Sequence, residues 1–163
     1  MRKYCLTILT MVFCSYAFAQ SLSRSFKIAK GTWKFPITQV RSVDTMTVDC
    51  FGIPHPSFEL TLTSDFPSEV SALQQGVVST VTLIEGLGYM VLVKSGDYFI
   101  GYVGLDKPQI KKGDIIAKNQ ALGILAKQEQ SYLLNLLLME RGQTVNINRW
   151  FDWKAAHNIS LLQ

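Results

Sequence analysis

Residues 131–146 read SYLLNLLLMERGQTVN, and the fold turns on what this run is. From Leu133 to Met139 every residue is apolar except Asn135. Such a run is too short to cross a bilayer, which takes about twenty apolar residues in a helix. Leucine and methionine are good helix formers. Against that, Gly142 closes the run quickly and the segments before it read as strands. The run is therefore expected to be a strand. It is expected to be buried on both faces, because apolar residues do not alternate with polar ones.

Working outward, the same texture recurs. FELTLTS (58–64), GVVSTVTLIE (76–85) and YMVLVKSGDYFIGYVGL (89–105) are rich in β-branched and aromatic residues and are separated by Gly, Pro, Asp and Asn. In KSGDY (94–98), Gly-Asp between two apolar runs predicts a hairpin. IKKGDIIAKNQALGIL (110–125) places turns at Gly113-Asp114 and Asn119 around a short extended piece. Before residue 150 no segment sustains helical periodicity, although PSEVSALQQG (67–76) has room for a single turn. These patterns predict an all-β domain with a short irregular or helical C-terminal tail, RWFDWKAAHNISLLQ (149–163). Trp150, Phe151 and Trp153 make that tail the densest aromatic cluster, read first as the closure of one end of the fold and second as a partner patch. Residues 20–32 are polar and read as a loose lead-in.

The N-terminus carries its own signal. Arg2 and Lys3 precede an apolar stretch that ends in Ala-Phe-Ala at 17–19, the pattern of a signal peptide (1–19) cleaved before Gln20. An uncleaved anchor is the alternative; a lipoprotein fits less well, because Phe13 precedes Cys14 where a small residue is wanted. Cleavage removes Cys5 and Cys14 and leaves Cys50, so no internal disulfide can form and stability must come from packing. Of the 16 Lys and Arg, Arg2 and Lys3 go with the leader, which leaves 14 against 12 Asp and Glu, a net charge of +2. With no basic run or stripe, nucleic acid is not an expected partner. Export to a secreted or periplasmic location in the cell envelope is expected, with no transmembrane helix after cleavage.

The order of features resembles the catalytic β-domain of the LytM and lysostaphin family of zinc endopeptidases, which cut peptidoglycan cross-links and share a duplicated hybrid motif. The resemblance rests on WKFPI (33–37), FG (51–52), HPSFELTL (55–62), SEVSALQQGVVSTV (68–81), GLGYMVLVKSGDYFIGYVGL (86–105) and IKKGDIIAKNQALGIL, and covers about residues 33–149. It implies a hybrid β-sheet or barrel-sandwich fold. In that family zinc is held by the His and Asp of a first motif and by the second His of a His-x-His pair. The first His of that pair and another in a Tyr-x-His-Leu stretch act on the water and the oxyanion. Hydrolytic zinc keeps three protein ligands and one open position.

Carried over, the resemblance implies a site largely without its chemistry. Tyr-x-His-Leu falls on YVGL, so Gly104 stands where a catalytic His is expected. GQTVN aligns with the family's closing segment, which puts the His-x-His pair on Leu133 and Asn135. Asn135 is then either a polar remnant in the former groove or a buried amide bonded to a neighbouring strand. Only HPSFE retains His-x3-Glu, making His55 and Glu59 vestigial metal candidates. If FGIPHP is instead a preceding loop of the family, Ser57 lies nearer the ligand position. His157, the other mature histidine, fits no motif. No cofactor is therefore expected, and the first reading is an inactive homologue that binds peptidoglycan or a cell-wall amidase or division protein. The alternative is an active metalloendopeptidase with an atypical zinc site. A third reading, a biotinyl- or lipoyl-type carrier, needs a modifiable lysine on a tight hairpin; Lys94 is close to a turn but lacks the flanking Met.

Overall fold

The computed structural model describes residues 21–45 and 60–154. Residues 1–19, read as a signal peptide, together with Cys50, His55, Ser57, Glu59 and His157, lie outside the described residues. Strands dominate: β1 (Ser42–Asp44), β2 (Leu60–Ser64), β3 (Glu69–Ser71), β4 (Gly76–Ile84), β5 (Gly88–Ser95), β6 (Tyr98–Leu105), β7 (Ile115–Ile116), β8 (Ala121–Ile124), β9 (Lys127–Gln128), β10 (Ser131–Glu140) and β11 (Gln143–Thr144). The fold is all-β, as the strand-rich sequence predicts. The main sheet runs in the order β1-β2-β10-β6-β5-β4-β7, with β9 and β11 pairing with β10; β3 and β8 form a separate two-stranded sheet.

SYLLNLLLME is β10, and it lies mid-sheet between β2 and β6, antiparallel to both. It is not buried on both faces as expected. Leu134, Leu136 and Leu138 are wholly buried, whereas Leu133, Asn135, Leu137 and Met139 are half-buried. Side chains alternate along a strand, and here both faces carry apolar residues, so composition conceals the alternation. On the buried face, Leu134 lies opposite Leu62 and Leu136 opposite Leu60. On the other flank Leu136 meets Tyr102, and Leu138 meets Ile100. Val91 and Val93 of β5 continue the layer. Each such side chain removed from water contributes roughly 1.5–3 kcal/mol.

The β5–β6 hairpin turns at Gly96-Asp97, with Gly96 at φ +61°. Gly113 (φ +94°) and Asn119 (φ +64°) sit at the turns that their sequence context predicts. PSEVSALQQG makes no helical turn; Glu69–Ser71 is β3, paired with β8. The two-stranded sheet adds Val70 and Leu122 to the same core, and the buried Tyr102 hydroxyl accepts a hydrogen bond from the Leu73 N–H at 2.8 Å. Burial raises the pKa of that phenol well above its ordinary value, so it stays a neutral cross-link between β6 and the segment after β3.

The lead-in is not loose: residues 21–28 are helical. Phe26 is fully buried and stacks on Tyr98, ring centroids 4.1 Å apart. A Cβ on Gly96 would lie 2.7 Å from the Ser23 nitrogen, so the helical segment rests directly on the β5–β6 turn. Trp33 and the tail complete this end of the core. The Trp33 N–H donates to the Trp150 carbonyl, and the Asp152 N–H donates to the Trp33 carbonyl, both at 2.9 Å. Trp150 and Phe151 are buried around Trp33, at the end of a 3-10 turn (Ile147–Trp150) in which the Asn146 side chain accepts from the Asn148 N–H at 3.0 Å. A polar-looking segment is thus held by one aromatic side chain, whose burial outweighs the polarity around it.

Candidate functional site

The main sheet has a second face, turned away from this core, and the positions singled out by sequence lie on it. Cross-strand register assembles it in rows. Met90, Val103, Asn135, Thr61 and Asp44 run side by side from β5 to β1. The next row holds Thr80, Leu92, Gly101 and Leu137. A third holds Val77, Lys94, Phe99 and Met139. Gly101 lets its neighbours close over it: a Cβ there would touch Leu137 Cβ at 3.4 Å and Leu92 Cδ1 at 3.8 Å. The floor is apolar and half-exposed, with a polar strip toward β2 and β1.

Asn135 sits at the border of the two. Its Oδ1 accepts a hydrogen bond from Thr61 Oγ1 at 2.7 Å, directly across the β2–β10 ladder. Of the two roles expected for it, the cross-strand amide is the one seen, and it lies on the open face. Leu133, two residues away on the same face, lies opposite Thr63. Thr61 and Thr63 are nearly buried beneath this strip.

Gly104 belongs to the same corner. Between β5 and β6 the register shifts at Tyr89 and Met90, which leaves Gly104 as the extra residue of a bulge between Val103 and Leu105. Its φ is +111°, a conformation that side chains rarely adopt. A Cβ at Gly104 would run into the Leu133 backbone carbonyl, and it would lie 3.3 Å from Gln128 Nε2. Gln128 is fixed in place by donating to the Leu87 carbonyl at 3.1 Å. The missing side chain at 104 is therefore built into the backbone, because β10 closes on the space that any side chain would occupy.

The structure thus brings Gly104, Leu133 and Asn135 together, while His55 and Glu59 lie outside the described residues. Zinc in proteins is bound by Cys, His, Asp or Glu side chains. A glycine, a leucine and an amide oxygen already engaged by Thr61 do not fit it. Among the described residues no three His, Cys, Asp or Glu side chains gather in one place. Lys94, which the carrier reading would need on a turn, lies on β5 with its ammonium 5.7 Å from the Phe99 ring centroid.

Thr61, Gln128 and Gly101 were not marked by sequence reasoning. Each acts only through a partner on another strand, and the register that selects the partner is not written locally. The alternation of Thr61 and Thr63 with Leu60 and Leu62 was the one available sign that β2 turns a polar edge to this face.

No helix among the described residues is long and apolar enough to cross a membrane. Comparison with curated proteins gives no match. Among solved structures, a chain of Csd3 from Helicobacter pylori is 17% identical with a TM-score of 0.59, over 73% of this chain and 33% of that one. A chain from a complex of SpoIIIAH and SpoIIQ is 20% identical with a TM-score of 0.57, over 71% of this chain and 96% of that one. Lysostaphin is 16% identical with a TM-score of 0.50, over 64% of this chain and 44% of that one. This chain therefore spans about a third of the Csd3 chain and less than half of lysostaphin. At such identities the likeness establishes the fold. The profile of peptidase family M23 matches residues 59–147, more than half of the sequence. On that match, and with the lysostaphin-type fold around it, the chain belongs to peptidase family M23.

Proposed function

We propose that this chain is an exported M23 domain without hydrolytic activity, which acts by binding peptidoglycan or by regulating a cell-wall hydrolase. The observation that carries this reading is the corner formed by Gly104, Leu133 and Asn135. By resemblance these positions should supply one metal ligand and two catalytic histidines. Here they supply an apolar side chain, an amide bonded to Thr61 and a bulge closed to any side chain. Losing either a proton-transfer group or an oxyanion donor removes orders of magnitude in rate, and both are lost together.

Binding does not need those groups. A sheet face can hold an extended peptide through the shape and chemistry of the side chains it presents, with no metal or catalytic group. The half-exposed floor of Leu92, Phe99, Leu137 and Met139 offers apolar contact, and the half-buried amide of Asn135, oriented by Thr61, lies beside it. A protein partner is supported by the similar chain found in the complex of SpoIIIAH and SpoIIQ. Export is supported by the signal-peptide pattern at residues 1–19.

The His-x3-Glu spacing of His55 and Glu59 is the feature that favours the second reading, an active peptidase with an atypical zinc site. The two separate in one experiment on purified insoluble peptidoglycan. The chain is expected to pellet with it, or to pull down an amidase or division protein from an envelope extract, and to leave the polymer intact. One zinc per chain together with soluble muropeptides would establish the second reading instead.

A further inference from the structure

Among the described residues the main sheet has two edges, and they are finished differently. At one, β1 has three residues, ends in the exposed Asp44, and is preceded by Arg41, whose Nη1 is paired with Asp65 Oδ1 at 2.6 Å. A short edge carrying charge resists pairing with another chain. At the other edge, β4 has nine residues, and β7 covers only Gly76 and Val77. Val78 closes this contact, donating to the Asp114 carbonyl at 2.9 Å and accepting from the Gly113 N–H at 2.8 Å. From Ser79 to Ile84 no strand adjoins the outer side of β4 among the described residues. Along its whole length β4 carries neither a charged residue nor a proline, the two common guards of a free edge.

Exposed apolar side chains gather at the same edge. Among the described residues the large exposed ones are Ile28, Phe66, Val77, Leu83, Leu87, Ile115 and Ile124; four of these belong to β4, to the turn after it, or to β7. Leu83 is 63% exposed although it follows Val81 on the core-facing side of the strand.

We propose that β4 pairs with β4 of a second copy of this chain, antiparallel about a two-fold axis near Val81, so that the sheet runs on across a homodimer. A two-fold axis sets each side chain against one from the same strand, so any charge on the edge would face its like. Thr80, Val81 and Thr82 raise no such conflict. Thr80 lies opposite Thr82 of the partner subunit, a favourable cross-strand pair. Leu83 is carried diagonally onto Val81 of the partner subunit, which covers its exposed surface. This inference is independent of whether the domain hydrolyses anything, since the contact is made at the outer edge of β4, and Gly104, Leu133 and Asn135 take no part in it.

The test is sedimentation equilibrium on the full chain, purified as the cell produces it, beside the double variant Thr80→Lys with Thr82→Lys. Thr82 is exposed and Thr80 is half-buried on the open face, so circular dichroism of the variant should match the parent. The parent is expected to be a dimer, and the variant's dissociation constant should rise at least about tenfold, as like charges are set opposite one another twice. Ser42→Lys on the β1 edge should leave dimerisation unchanged. Amide exchange at residues 79–83 of the parent should slow as concentration rises. A parent that is monomeric throughout, or a dimer that the lysines leave intact, or exchange at 79–83 that ignores concentration, overturns the proposal; each would leave the edge to a different protein or to solvent.

Discussion

The two faces of β10 are written in almost the same residues and do different things. Leu134, Leu136 and Leu138 are sealed into the core against β2 and β6. Leu133, Asn135, Leu137 and Met139 form a half-open floor, and it is there that the positions tied to chemistry by resemblance fall. The first face is held by close packing, in which every methylene matters. The second is free to vary so long as the floor stays filled. The comparison teaches that exchange of side chains on this face need not disturb the fold, because the fold is secured from the other side of the same strand.

The largest effect expected from this contrast is on stability. Leu136→Ala should cost about 2–5 kcal/mol, the range for deleting a fully buried leucine side chain. Leu137→Ala, one residue along, should cost less than about 1.5 kcal/mol, since part of the side chain already meets solvent. Urea unfolding of the two variants at equal slope measures the difference directly. Equal losses would mean that the second face is as enclosed as the first.

Gly104→Ala should come next, losing about 1–3 kcal/mol, because its φ and the Leu133 carbonyl both oppose a Cβ. Thermal unfolding reads this out. A neutral result would show that the bulge relaxes easily and that a side chain can return to the corner. The hydrogen bond between Thr61 and Asn135 is smaller still. Thr61→Val should cost about 1 kcal/mol by stranding the amide oxygen, and adding Asn135→Leu should recover much of it. A double-mutant cycle isolates the coupling; additive losses would argue that the amide serves a ligand rather than its neighbour.

The smallest expected effect lies at the sheet's rim, on neither face. The Arg141 guanidinium bonds the Asp97 carboxylate at 3.0 Å and lowers its pKa below the ordinary value of 3.8. A depressed folded-state pKa gives stability that is present above the unfolded value and is lost as pH falls through the folded one. Both partners are largely exposed, so solvent screens the pair and the contribution is slight. Asp97→Asn should therefore flatten the acid limb of stability below about pH 4 a little, and leave stability at neutral pH almost unchanged. A loss comparable to that of Leu136→Ala would show that the turn anchors the helical segment above it.

The fold was legible where chemistry is local. Gly96-Asp97 announced its hairpin, Gly113 and Asn119 their turns, and the β-branched runs their strands. What escaped depended on distance along the chain. The helical segment at 21–28 looks like polar filler until Phe26 finds Tyr98, more than seventy residues on. The apolar floor of β10 imitated burial on both sides, because leucine on a half-exposed face reads the same as leucine in a core. At the candidate site, resemblance pointed to positions 104, 133 and 135, but not to the bulge that closes 104. That bulge arises from the register between β5 and β6, which no single residue records.

The central claim, a domain that binds where its relatives' fold is used to cut, meets its most direct test in muropeptide release. Purified chain, supplied with stoichiometric zinc, is incubated with purified peptidoglycan, and the soluble fraction is resolved by chromatography. The account predicts a profile indistinguishable from polymer incubated without protein. Zinc-dependent release of cross-link cleavage products would contradict it, and would place an active site in spite of the Gly104, Leu133 and Asn135 corner.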